Sequence, residues 1–297
     1  MDYVVLEFLA APFVASLILT GIHTYLGVHV VERGVIFVDL SLAQIAALGA
    51  TMALLLPFSG GDPHHPGVYW ISLGFTFIGA AVFASIHRDN TARIPQEAII
   101  GICYAVASAG AIVMMSKSTS QAEHLQDMLV GNILAVSWHD VIKTALLYGA
   151  IGTFHYVFRR RFLLISMDAE RAKAEGISIR LWDFLFYASF GFVVTSSVSI
   201  AGVLLVFCYL IVPSVAAMLF AERIGARLAI GWSMGTLVSL LGIWLSLKLD
   251  LPTGATIVVT FGGVLLLLAA VRPLLRRVLM AGGGAASRLE RAPAAHR

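Results

Sequence analysis

A carboxylate, an amide and an imidazole lie inside apolar stretches of this chain: Asp39 and Gln44 in the segment 36–57, and His23 in the segment 4–30. A carboxylate in a membrane-like run is costly to keep, which makes Asp39 a candidate for function by default. Counted from the turn at Glu32-Arg33, His23 and Asp39 fall at about the same depth, with Gln44 roughly one turn farther along. The three are therefore expected to line one polar patch. Imidazole and carboxylate suit Zn(II) or Mn(II), and the amide is a weak ligand that favours release over retention. A structural alternative stays open, in which Asp39 caps its helix or pairs with Arg33. His29 and His155 fall near the ends of apolar segments, where snorkelling accounts for them. Asp62 with His64-His65 reads either as a polar Pro-rich turn or as a cluster that gathers metal outside the membrane.

The second feature with chemistry in it is a charged insert between apolar runs, Ser166-Met-Asp-Ala-Glu-Arg-Ala-Lys-Ala-Glu-Gly-Ile177. The pattern predicts a helix over 167–179, with Asp168 and Glu170 in its first turn, where they complement the helix dipole, and Gly176 as its stop. Ala169, Ala172 and Ala174 would leave a small-residue surface that another protein approaches closely. The insert is then either a handle for a soluble partner or an interfacial helix lying on the headgroups.

The elements that must position these residues are set by hydropathy. With 59% apolar and 12% charged residues and a mean hydropathy of +0.89, the surface of this chain faces lipid. Nine segments approach the roughly 20 residues needed to cross the hydrocarbon core: 4–30, 36–57, 68–86, 97–116, 139–158, 183–199, 200–220, 228–248 and 254–271. All must be helical, because lipid satisfies no backbone polar group. No real loop separates 183–199 from 200–220, so the count is eight or nine. Asp2 and Glu7 stand where a secretory signal would be positive, and the first segment reads as a retained span. Cys103 and Cys208 read as small buried hydrophobes.

Alternating the loops puts all but three of the 20 Lys and Arg residues, Lys117, Lys143 and Lys248, on the side that carries the insert. The positive-inside rule makes that side cytoplasmic, with the N-terminus outside and the C-terminus in the cytoplasm. The same distribution explains the net charge of +3 without nucleic acid as a partner. No Gly-rich loop with Gly-Lys-Ser/Thr is present, so a motor would be another polypeptide. Pro213 is expected to break its helix and free carbonyls beside a pathway. Residues 1–280 form one transmembrane domain with the insert at about 166–179, and 281–297 a basic, disordered cytoplasmic tail. Glu123, His124 and Asp127 form an outer charged stretch open to a delivering protein.

Several segments together resemble the metal-ion ABC transporter permease family, over roughly residues 10–272. They are Gly27-Val28 through Arg33 into Asp39-Leu-Ser-Leu-Ala-Gln44 and Gly49; Gly131-Asn-Ile-Leu-Ala-Val-Ser137; Asp168 to Ile177; and Ser199-Ile-Ala-Gly-Val-Leu-Leu-Val-Phe through Ile211-Val-Pro-Ser-Val-Ala-Ala217. The resemblance implies an all-α polytopic bundle of the type II ABC importer kind in a bacterial inner membrane. It implies an ABC ATPase and an extracytoplasmic metal-binding protein as partners, a second copy of the permease, and a divalent metal as cargo with no resident cofactor. It makes the insert the coupling helix, with Asp168, Glu170, Ala172 and Gly176 at the ATPase. Zinc is preferred as cargo, with manganese or iron(II) as alternatives.

One departure stands out. The family pattern in the second span is Gly-Asp-Ala-Leu-Ser-His, whereas here Asp39 falls one position early and Gln44 stands at the His position. The competing function is a secondary transporter using Asp39 and Glu97 as coupling-ion carboxylates. A third class, an intramembrane metalloprotease, lacks its His-Glu-x-x-His pair.

Overall fold

The computed structural model describes residues 3–62, 65–86, 94–116 and 133–290. Its helices are α1 (Tyr3–Arg33), α2 (Val38–Leu54), α3 (Pro66–Ser85), α4 (Gln96–Met115), α5 (Trp138–Val157), α6 (Arg159–Met167), α7 (Ala169–Ala174), α8 (Ile179–Ala201), α9 (Val203–Phe220), α10 (Ile224–Leu249) and α11 (Thr253–Glu290). Seven of these are long and apolar enough to cross a membrane singly, and α5 with α6 makes an eighth candidate bent by 74°. The helix α2 has 17 residues, about 26 Å, which is short of the hydrocarbon thickness. Each of the nine expected segments thus corresponds to one long helix. The short α2 is enclosed by α3, α4 and α8 and most of its residues are buried, so protein and not lipid surrounds it.

Two groups of helices make the bundle. One contains α2, α3, α4 and α8, the other α1, α9, α10 and α11, and α5 lies against α1 and α8. Side-chain pairings give the directions. Arg33 meets Asp183 and His23 meets Ser197, so α8 runs antiparallel to α1. Arg227 meets Glu32 and Trp232 donates to the Gly21 carbonyl, so α10 is antiparallel to α1 as well. On α9, Ser214 reaches the Thr24 carbonyl and Tyr209 meets Ser239 of α10. The helices α8 and α9 therefore run in opposite directions, and the boundary left open by the sequence is a reversal at Gly202 alone. Its φ of 76° and ψ of 159° explain why a glycine stands there.

Small residues let α1, α9 and α10 approach closely, as membrane helices do in the absence of a hydrophobic drive between them. A Cβ on Gly27 would lie 1.9 Å from the Leu210 carbonyl oxygen and 2.4 Å from Ser214 Oγ. Pro213 sits at this junction, and here the expectation of a broken helix is corrected, because α9 continues across it from Val203 to Phe220. Proline removes only one backbone hydrogen bond, and the packing of α1 and α10 around Pro213 and Ser214 holds the helix together.

The insert also differs from expectation. In place of a single helix over 167–179, α6 ends at Met167, Asp168 breaks the helix with a φ of −149° outside the helical region, and α7 covers only Ala169–Ala174. The cause is local: the Asp168 side chain accepts from the Arg171 N–H at 3.0 Å and caps α7, so Asp168 starts the helix and only Glu170 occupies its first turn. Gly176 ends α7 as expected, with φ of 75°. Bonds from Gly176 N–H to the Lys173 carbonyl and from Ile177 N–H to the Ala172 carbonyl complete a Schellman motif. At the C-terminus, α11 is described to Glu290. Residues 291–297 lie outside the described residues.

Replacing Gly27 by Ala is expected to lower stability by about 1–3 kcal/mol through overpacking against α9. The control is Gly21→Ala, where a Cβ meets nothing within 4 Å. Thermal melting of the purified chain in detergent checks this, and equal melting temperatures for the two variants would exclude the close approach.

Candidate functional site

The insert end of the bundle is built on a buried ionic junction. Arg33 Nη1 donates to Asp183 Oδ1 at 2.6 Å, with the two side chains 0% and 4% exposed, deep enough that water does not screen the pair. Arg33 Nε donates to Ser166 Oγ at 2.9 Å, and the guanidinium lies 3.9 Å from the centre of the Phe186 ring. Ser166 is the meeting point of three bonds. Its hydroxyl donates to the Phe162 carbonyl at 2.9 Å, so its oxygen must accept from Arg33 and also from His29 Nδ1 at 2.8 Å. This places the ring hydrogen of His29 on Nδ1, and Nε2 has no hydrogen-bond partner among the described residues.

A second histidine holds the elbow between α5 and α6. Ser189 gives its hydrogen to the Phe186 carbonyl at 2.9 Å and so accepts from His155 Nε2 at 2.8 Å. His155 Nδ1 then accepts from the Tyr25 hydroxyl at 3.3 Å, and the Phe162 ring stacks on the imidazole at 4.3 Å. Expected as snorkelling side chains, His29 and His155 are instead each 1% exposed. Their Ser and Tyr partners come from other helices, so helix position alone misplaced them. The same applies to Ala172 of the insert, which is fully buried beneath α7 and offers nothing to a partner. Asp168, Glu170 and Gly176 are exposed at this end, with Arg171 paired to Glu175 at 3.2 Å.

Deeper in the bundle lie the three residues of the expected polar patch, His23, Asp39 and Gln44, all of them buried. His23 is buried with Nδ1 donating to the Leu19 carbonyl at 2.8 Å and Nε2 facing Ser197 Oγ at 3.3 Å. Asp39 is in the first turn of α2 and 1% exposed, and neither of its oxygens has a hydrogen-bond partner among the described residues. The structural pairing of Asp39 with Arg33 is thus absent, since Arg33 is taken by Asp183 and Ser166. What partly compensates the carboxylate is the positive end of the α2 dipole. Gln44 is buried five residues on, and five residues of α-helix turn it away from the face of Asp39. Among the described residues no group of three or more His, Cys, Asp or Glu side chains is placed to hold a metal ion.

The remaining expected residues are also placed. Glu97 Oε1 accepts from the Phe37 N–H at 2.9 Å, tying α4 to the start of α2. His65 caps α3 by accepting from the Gly67 N–H at 3.1 Å. Ser137 and Asp140 form a reciprocal capping box that starts α5. Cys103 and Cys208 are free thiols, half-buried and buried. His64, Glu123, His124, Asp127, Gly131 and Asn132 lie outside the described residues. What the sequence analysis missed is the Arg33–Asp183–Ser166–His29 junction. One signal was present in Asp183, the single acidic residue of α8.

Among the described residues, nine apolar helices, seven of them long enough to cross a membrane singly, with a charged elbow at one end, define a polytopic α-helical membrane protein. The chain belongs to the ABC 3 transport family, whose model matches residues 5–272. It is 26% identical to a probable iron transport system membrane protein of Haemophilus influenzae, over 85% of this chain and 89% of that protein. It is 30% identical to the manganese transport system membrane protein MntC of Halalkalibacterium halodurans, over 65% of this chain and 69% of that one. In fold it is similar to a chain of PsaBC from Streptococcus pneumoniae in complex with Fab, with a TM-score of 0.72 and 22% identity, covering 88% of this chain and 90% of that chain.

Removing one partner of the buried pair is expected to cost about 3–5 kcal/mol, because it strands the other charge in the bundle. Asp183→Ala should therefore melt well below the wild type in detergent, whereas Arg33→Met with Asp183→Leu recovers most of the loss. A wild-type melting curve for Asp183→Ala would mean that the pair is not desolvated.

Proposed function

We propose that this chain is the membrane-spanning permease subunit of an ATP-driven importer of divalent metal ions. The family match over residues 5–272 carries this reading, and the charged insert at one end of the bundle supports it. The chain binds no nucleotide-hydrolysing site of its own in this scheme. A separate ABC ATPase docks on α7, where Asp168, Glu170 and Gly176 are exposed. Arg159, Arg160, Arg223 and Arg227 cluster with the insert in sequence-derived topology, which assigns this end to the cytoplasm and the N-terminus to the outside. A metal-binding protein delivers cargo at the other end, and a second copy of the chain completes the translocation unit.

For the cargo, the relatives named above are iron and manganese transport proteins, which favours Mn(II) or Fe(II) over the zinc preferred from ligand types alone. Asp39 is the proposed transient contact on the pathway, because an anionic side chain with no partner among the described residues is matched when a cation passes. Gln44 is the proposed secondary contact. His23 is already engaged by Leu19 and Ser197, and its proposed part is to seat α1 on α8.

The test is ATP hydrolysis in proteoliposomes holding the chain, its ATPase and the metal-binding protein. Hydrolysis and uptake should rise with Mn(II) or Fe(II) only when the binding protein is present. Glu170→Arg should lower the metal-stimulated rate at least tenfold while leaving the folded permease intact. Asp39→Ala should lower uptake by a similar factor with the ATPase still bound. Uptake that survives ATP depletion and collapses with the ion gradients would overturn the assignment.

A further inference from the structure

The insert does not rest on the bundle through apolar contact alone. Ser166, two residues before α7 begins to be capped by Asp168, is the last buried polar residue of α6. Its oxygen accepts from two donors on one helix, Arg33 Nε and His29 Nδ1 of α1, while Arg33 Nη1 continues to Asp183 of α8. A hydroxyl has two lone pairs, and both are used. The second anchor of the elbow, His155, reaches the same place on α8, since Ser189 passes its bond to the Phe186 carbonyl and the Phe186 ring carries the Arg33 guanidinium. Ala172 and Ile177 close the apolar underside of α7. A tilt of α7 that carries α6 with it must therefore pull on α1 and α8 through Ser166 or break buried bonds.

We propose that Ser166 is a positioning residue that makes movement of α7 and movement of α1 and α8 one event, with the forked guanidinium of Arg33 as the other half of the junction. The link rests on the reading of α7 as the ATPase-docking element, but it has a physical content of its own. Arginine is required because its planar fork serves Ser166 and Asp183 at once, and a lysine ammonium at the end of a flexible stem holds only one of them in fixed geometry. Breaking the junction frees α7 to move without α1, so that hydrolysis and transport separate.

Two arms test it. In the first, the full chain with both native cysteines replaced carries spin labels at Glu170→Cys and Arg223→Cys, two exposed positions at the insert end, and the distance distribution is measured in lipid nanodiscs. Ser166→Ala and Arg33→Lys should each at least double its width, and the double variant should be no wider than the broader single one. In the second, the assembled complex is assayed with Mn(II): both variants should keep ATPase assembly and basal hydrolysis within about twofold, while Mn(II) imported per ATP falls about tenfold. An unchanged distance distribution in Ser166→Ala sinks the junction whatever the transport result. So does a uniform loss of yield, hydrolysis and uptake with an unchanged ratio, which marks a structural role alone. If the widths change as expected but the unlabelled wild-type complex shows no Mn(II)-stimulated hydrolysis, the junction stands and the importer reading fails.

Discussion

The guanidinium of Arg33 is held where water does not reach it, and the insert end of the molecule is arranged around the requirement that this charge be matched. A lone buried cation is prohibitive in a membrane, and a single carboxylate repays its desolvation only when the geometry is good and the remaining donors are satisfied. Asp183 supplies the charge, Ser166 takes Nε, and the Phe186 face takes the flat side of the group. These partners come from α8, α6 and α8 again, so matching one side chain of α1 fixes three helices relative to one another. The elbow of 74° between α5 and α6 then follows, because α6 must turn across the bundle end for Ser166 to reach Arg33.

The rest of α1 is held by a different device. Where Arg33 uses charge, Gly27 uses absence of a side chain, and the Leu210 carbonyl and Ser214 hydroxyl occupy the space a Cβ would need. Farther along, Thr24 and Thr20 press their methyl groups into the positions open at Gly231 and Gly235 of α10. Close approach replaces the hydrophobic effect as the source of specificity, since lipid tails are as apolar as the side chains they would compete with. The reversal at Gly202 belongs to the same arrangement. By turning α9 back within one residue, it lets α9 pack on α1 while α8 runs the other way and reaches α1 through Arg33 and His23.

Much of this was legible in the amino-acid sequence because it depends on length and hydropathy. Nine apolar segments became nine long helices, the stop at Gly176 stands where the glycine predicts it, and the two cysteines are free thiols. What was not legible depends on partners far away in the chain. The burial of His29 and His155 is made tolerable by Ser166, Ser189 and Tyr25, between 34 and 137 residues distant. Ala172 looked available to a partner because the spacing of alanines does not say which way a six-residue helix faces. Pro213 looked like a break because its local chemistry disfavours helix, and tertiary packing decided otherwise.

Asp39 is the residue for which local and tertiary requirements disagree most. The turn from Arg33 to α2 brings its carboxylate close to the bundle end that holds Arg33, yet the strongest cation there is already committed to Asp183. The first turn of α2 offers its dipole, an interaction of the order of 0.3–1 kcal/mol at exposed sites and up to about 2 kcal/mol when partly buried. That falls short of the several kcal/mol that a desolvated ion loses. A structural acid at this position gains little that a serine would not provide, whereas a site that must attract a cation and then release it needs a charge left incompletely matched. At Arg33 the matching is fuller, with Nη1 on Asp183 and Nε on Ser166, and Nη2 has no hydrogen-bond partner among the described residues. Two ionisable side chains a few residues apart in the chain thus meet different surroundings, Arg33 an acid and a hydroxyl, and Asp39 no hydrogen-bond partner among the described residues.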